Sequence, residues 1–165
     1  MGIIYLSVFH NINIIVIIGI VMKLEEIQDL WTKDCQIDRT ELGEESLRVS
    51  QLHSKYFKFF SAERLTLKKL EKDYKVLYRH KFEYYNGSIS QEDLREFGWE
   101  PNGLKILKSD AHIYLDSDKD LIELSLKMDY QKEKIDFLEN IIKSVNNRGY
   151  QLKSAIDWEK FKVGA

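Results

Sequence analysis

From Leu47 to Tyr85 the chain contains neither glycine nor proline, and its apolar residues recur at helical spacing. Nothing in this run can form a tight turn cheaply, so it has to be helix. Two apolar registers are visible within it. Val49, Leu52, Tyr56 and Phe59 follow one, and Phe60, Leu67, Leu70, Tyr74, Leu77 and Tyr84 follow another, offset by one residue. The offset falls at Phe60–Ser61, where Ser61 can cap a new helix. The stretch is therefore one helix with a stutter or two helices hinged there. An unbroken helix of about 40 residues is roughly 60 Å long, which favours a hinge or an extended, oligomeric shape.

The same stretch is the basic part of an acidic protein. Residues 47–82 hold 10 Lys/Arg and 3 Asp/Glu, while the whole chain of 165 residues carries a net charge of −2. Residues 23–46 and 83–124 supply the compensating acid, so the near-neutral total hides a segregated pattern. Arg64, Lys68, Lys69, Lys72, Lys75 and Arg79 form a run with few interleaved acids. Positions 68, 72, 75 and 79 fall on one helical stripe, which repels itself unless an anion neutralises it. A polyanion-binding face is expected; a merely solvated helix face is the alternative. Tyr56, Phe57, Phe59 and Phe60 read as core, whereas Tyr84 and Tyr85, beside a loop, are placed to stack on a base.

Residues 1–22 contain no charged side chain and form an apolar extension. About 20 apolar residues can span a bilayer. However, there is no basic leader or cleavage site, and His10, Asn11 and Asn13 lie mid-span. An upstream extension of the reading frame, with Met22 as functional start, is the preferred reading; a membrane anchor is the alternative. Residues 23–165 then make one domain.

Lys23–Lys33 reads as a short amphipathic helix, and Asp38 with Glu41 as a capping box opening the long helical region. Asn86-Gly87 ends that region, and Ser90 with Asp93 starts a short helix through Phe97. Gly98, Pro101, Asn102 and Gly103 mark a loop, and the stretch 88–116 is the least defined by pattern. Asp116 or Ser117 begins the next helix. There Leu121, Leu124, Met128, Gln131, Ile135, Leu138, Ile142 and Val145 keep strict heptad spacing, with further apolar residues beside the seam. Gly149 suits the end of this helix, and Ser154–Val163 forms a last short one presenting Trp158 and Phe161.

No catalytic constellation appears, and an enzyme is not expected. Asp116-Ser117-Asp118-Lys119-Asp120 imitates an EF-hand start, but Leu121 replaces the required glycine and Lys127 the terminal glutamate. His10, His53, His80 and His112 show no ligand spacing with one another or with Cys35, so neither metal nor cofactor is expected. One cysteine cannot form an internal disulfide, which fits a reducing compartment.

At Lys75-Val76, Arg79-His80-Lys81 and Glu83-Tyr84-Tyr85-Asn86-Gly87 the chain resembles the UvsY family, the recombination mediators of T-even and related bacteriophages. Lys23-Leu24-Glu25, Lys33-Asp34, Ile37-Asp38, Asp118-Lys119-Asp120 and Arg148-Gly149-Tyr150 agree in order and spacing with that family. Tyr78 and His80 are bulkier than its pattern, and the Trp99–Pro101 loop departs from it. The resemblance implies a non-enzymatic, all-α protein that assembles into a ring-like homo-oligomer, a hexamer or heptamer. It implies binding to single-stranded DNA and loading of a UvsX-like recombinase onto DNA coated by the phage single-strand-binding protein, in the cytoplasm of the infected host. The family's basic pair falls on Arg79 and Lys81. The expected DNA-binding set is Arg79, Lys81, Lys75, Lys72, Lys69, Lys68, Arg64, Tyr84 and Tyr85. The expected subunit contacts are Leu121, Leu124, Met128, Ile135, Leu138, Ile142, Trp158 and Phe161. A helical scaffold without a nucleic-acid role is the competing class.

Overall fold

A computed structural model of the chain describes residues 22–103 and 106–164. The apolar extension, and with it the choice between an upstream start and a membrane anchor, lies outside the described residues. Five helices follow in order: α1 (Leu24–Asp34), α2 (Leu42–Asn86), α3 (Gln91–Phe97), α4 (Ala111–Asp116) and α5 (Lys119–Val163). Among the described residues there is no strand, and the fold is all-α. No described helix is long and apolar enough to cross a membrane. The chain packs as two units, Met22–Leu65 with Gln131–Ala165 and, among the described residues, Thr66–Tyr130. Helices α2 and α5 contribute to both.

In the first unit, α1 and the early part of α2 pack against the late part of α5. Ile27, Leu52, Tyr56, Leu138, Ile141 and Val145 form the core. Trp31 meets Tyr56 edge-on at 5.4 Å. The Tyr56 hydroxyl donates to Asp34 at 3.0 Å, and Lys55 pairs with the same carboxylate at 2.6 Å. Glu45 on α2 faces Arg148 on α5 at 2.5 Å, and Glu63 faces Lys134 at 2.8 Å. The rising numbers on one helix meet falling numbers on the other, so the two segments are antiparallel.

The α2 stretch does not hinge at Ser61; it is one helix throughout. The apolar register shifts there because the packing layer turns polar. Glu63 is buried and takes the Lys134 ammonium, while the Gln131 amide donates to both its backbone carbonyl and its carboxylate. This also explains why glutamine interrupts the late heptad: Gln131 is the partner of a buried acid. Seen from sequence, a polar layer and a hinge both look like a lapse in apolar spacing.

Three expected boundaries move. Asp38 does not cap α2; its carboxylate accepts from the Thr40 N–H at 2.8 Å and closes a turn ahead of the helix. Asp118, rather than Asp116 or Ser117, caps α5, accepting from the N–H groups of Asp120 at 3.0 Å and Leu121 at 3.1 Å. Gly149 does not end a helix, because α5 runs unbroken to Val163 and absorbs the separate last helix. Arg148 and Leu152 are both buried, so tertiary packing on either side carries the helix through the glycine. By contrast Gly87 and Gly98, with φ of 74° and 67°, end α2 and α3 in the left-handed region as glycine allows.

A Cβ at Gly149 meets nothing within 4 Å. Gly149→Ala is therefore expected to stabilise the chain by up to about 1 kcal/mol, read as a higher urea midpoint by circular dichroism. A left-handed terminus at this glycine would make the same change destabilising. Lys134→Ala, which leaves Glu63 buried without its cation, is expected to cost about 3–5 kcal/mol in the same assay.

Candidate nucleic-acid interface

The cationic run lies on α2 within the second unit, apart from Arg64, which belongs to the first. Its geometry follows from helical spacing: steps of three and four keep Lys68, Lys72, Lys75 and Arg79 on one side. All four are exposed, and Lys69 beside them is half-buried. Among the described residues Lys68, Lys72 and Lys75 have no ion-pair partner. Arg79 has its Nε 3.8 Å from Glu83 and its Nη2 3.2 Å from the His80 ring, with its side chain 65% exposed. Arg64 is exposed and lays its guanidinium over the Phe60 ring at 5.4 Å. A row of exposed cations, its lysines unpaired, presents positive potential along one side of the helix.

Lys81, the second member of the basic pair, is placed differently. Its side chain is only 9% exposed. The ammonium sits 3.0 Å from Asp118 and 2.5 Å from Asp120, and 4.4 Å from the centre of the Trp99 ring. The physical reason is its position on the helix: two residues from Arg79, it points to a different side, toward the start of α5. Lys81 is thus committed to packing within the unit.

Asp118 is the hub of that packing. One carboxylate oxygen caps α5, and the other receives Lys81 and, at 2.8 Å, the Tyr85 hydroxyl. Burial pushes its carboxyl upward, but the hydrogen bonds from Lys81, Tyr85 and the Leu121 N–H, with the Lys81 charge, outweigh it and leave the group below its ordinary range. Burial and the bond to Asp118 likewise push the Tyr85 hydroxyl well up. Tyr85 is therefore occupied, its ring 5.3 Å from Tyr84 and 5.6 Å from Tyr114. Tyr84 is half-buried with its ring 5.4 Å from Trp99, which stacks on Phe97 at 4.7 Å. Tyr74, Leu77, Phe82 and Tyr85 pack over the apolar core of this unit, Ala111, Leu115 and Leu121.

The sequence marked the acidic run at Asp118–Asp120 and the Trp99 loop without a role for either. Both are partners of Lys81. Their signal was present as an acid run at a helix start and an aromatic in a loop, but nothing along the chain says that they converge on one lysine.

Of the aromatic residues read as core, Tyr56 is buried and Phe59 and Phe60 pack against it, but Phe57 is half exposed and stacks on His53 at 5.8 Å. Of the expected subunit contacts, Leu121, Ile135 and Leu138 are buried inside the chain's own packing, and Leu124, Met128 and Ile142 are half-buried. The buried part of the heptad seam, Leu121, Ile135 and Leu138, is packed within the chain. Trp158 and Phe161 remain 59% and 73% exposed, their rings stacked at 5.6 Å.

Residues 30–165 match the family described as "Recombination, repair and ssDNA binding protein UvsY". The chain is 27% identical over 143 residues to the recombination protein uvsY of Enterobacteria phage T4, covering 87% of this chain and 99% of that protein. Two crystal structures of the bacteriophage T4 recombination mediator protein UvsY have a similar fold. One, at 26% identity, gives a TM-score of 0.75 over 86% of this chain and 98% of that one. The other, also at 26%, gives 0.70 over 82% and 97%.

Truncating the two members of the basic pair should have opposite consequences for folding. Lys81→Ala leaves Asp118 buried without its cation and is expected to cost about 3–5 kcal/mol in urea unfolding. Arg79→Ala, at an exposed site, is expected to stay within about 0.5 kcal/mol of the parent. Because folding lowers the Asp118 carboxyl, its contribution is fully present above the ordinary value of 3.8 and is lost as pH falls through the lowered value. Asp118→Asn should therefore flatten the acid limb of stability between the ordinary value and the lowered one.

Proposed function

This chain belongs to the UvsY family, and from that premise we propose that it is a recombination mediator working by binding alone, without a catalytic step. It holds single-stranded DNA by its phosphates and promotes loading of a UvsX-like recombinase onto DNA coated by the phage single-strand-binding protein, in the cytoplasm of the infected host. The observation that carries this reading is the exposed row Lys68, Lys72, Lys75 and Arg79, whose lysines have no ion-pair partner among the described residues. Phosphate contacts of this kind position the strand without reading its sequence, as a mediator of general recombination needs.

In this reading Arg79 is the DNA-contacting member of the basic pair, with Lys69 and Arg64 extending the row. Lys81 is a positioning residue that fixes the end of α2. Tyr84, beside Trp99, offers an aromatic ring for a base to stack on. One row of four cations is a weak site. Repeated around a ring-like hexamer or heptamer it gains by effective concentration rather than by stronger contacts. Trp158 and Phe161, exposed and apolar, are the subunit contacts that this assembly uses.

Binding to single-stranded DNA should weaken steeply with salt, each lost phosphate contact removing roughly 0.7 from the slope of log affinity against log salt. Replacing Lys68, Lys72, Lys75 and Arg79 together by Gln is expected to flatten that slope by about 3. An unchanged slope would show that the strand lies elsewhere. Trp158→Ala with Phe161→Ala is expected to lower the oligomer mass in sedimentation equilibrium while leaving the helical content in place.

A further inference from the structure

Beside the cationic row, a buried imidazole faces two carboxylates. His80 is 8% exposed, and its Nδ1 is buried without a hydrogen-bond partner. That nitrogen lies 3.8 Å from Glu83 Oε2, too far for a hydrogen bond. Asp93 completes the group: one ring nitrogen of His80 and one oxygen from each of Glu83 and Asp93 lie within 4.8 Å of one another. The arrangement is built from two helices. His80 and Glu83 stand three residues apart on one face of α2. The turn after α2 is fixed by Ser88 and Ile89, whose N–H groups donate to the Glu83 carbonyl at 2.9 and 3.1 Å. Ser90 then caps α3 and donates from its hydroxyl to Asp93 Oδ2 at 2.7 Å. The Phe97 ring, 4.8 Å from the imidazole, walls the other side.

We infer that His80, Glu83 and Asp93 form a binding site for a divalent transition-metal ion of the zinc class. One neutral nitrogen and two anionic oxygens match the charge of such an ion. An imidazole ligand favours zinc, cobalt or nickel over magnesium or calcium, which take oxygen alone. At zinc-ligand bond lengths, tetrahedral donors lie roughly 3.4 Å apart. The Nδ1–Oε2 gap has only to close by a few tenths of an ångström, and the Glu83 side chain, one-third exposed, has the freedom to do so. Three protein ligands leave the fourth position to water or a small anion.

The ring proton has to be accommodated. Arg79 Nη2 lies 3.2 Å from His80 Nε2, a contact that makes Nε2 the acceptor and leaves the proton on Nδ1. A metal on Nδ1 requires the other tautomer, with the proton on Nε2. The Arg79 guanidinium must then leave, and as an exposed side chain paired only loosely to Glu83 it can. Nothing along the chain signals this site, because its ligands are a single histidine and two acids among many. Only the turn from α2 to α3 brings Asp93 to the other two.

Titration of the full chain with Co2+, followed by visible absorption, tests the site without any DNA. A ligand-field band saturating at one equivalent and abolished by Zn2+ is the expected result. Glu83→Gln and Asp93→Asn, both at partly exposed positions, should each weaken Co2+ binding roughly tenfold or more, since even second-shell changes cost that much. His80→Ala should abolish the band. If no band develops at millimolar Co2+, or if both carboxylate variants bind as the parent does, the site is not there.

Discussion

The first unit depends on one buried guanidinium. Arg148 on α5 donates to Glu45 on α2 and to the carbonyls of Asp34, Cys35 and Gln36 at the end of α1. One side chain thereby ties three helices and fills the carbonyls that α1 leaves without partners. Apolar seams between long helices tolerate a slip of one heptad at modest cost, because one leucine replaces another. A buried charge does not, since a slip strands it without its partner, at several kcal/mol. Glu63 with Lys134 and Gln131 repeats the device further along the same pair of helices. These two polar layers fix the register, and the leucines and isoleucines between them supply the driving force.

The second unit uses the same logic. Lys81 and Asp118 are buried together, Asp118 caps α5, and Trp99 covers the ammonium. This interaction decides that Lys81 is not left in solvent. Two basic residues separated by one position cannot share a helix face; the one turned inward meets acid, and the one turned outward stays in solvent. The cationic row is therefore defined by subtraction. Its lysines are basic residues of α2 that packing did not claim.

Much of the architecture could be read along the chain, because helix starts and stops are local chemistry. Gly87 and Gly98 end helices, and Ser90 begins one, through bonds made within a few residues. The heptads of the late helix predicted a packed seam, and there is one. What packs on it cannot be read along the chain. Leu121 and Leu138 look the same in sequence whether they meet another subunit or another part of the same chain. The lapses at Ser61 and Gly149 are ambiguous along the chain for a related reason. Local propensity marks both as breaks, and buried partners on either side, Glu63 and then Arg148 with Leu152, hold the helix through them.

The sequence by itself determined that the chain is helical, that its positive charge gathers on one helix, and that its motifs fall in the order of the UvsY family. Each of these rests on periodicity, composition or local caps, which need no knowledge of distant contacts. Only the tertiary structure decided that Lys81 faces Asp118 while Arg79 faces water, that Gln131 serves Glu63, and that Asp93 comes to His80 and Glu83. Those outcomes join residues far apart in the chain or on neighbouring turns with different faces. They are set by which buried charge finds a partner, and that is a property of packing rather than of spacing.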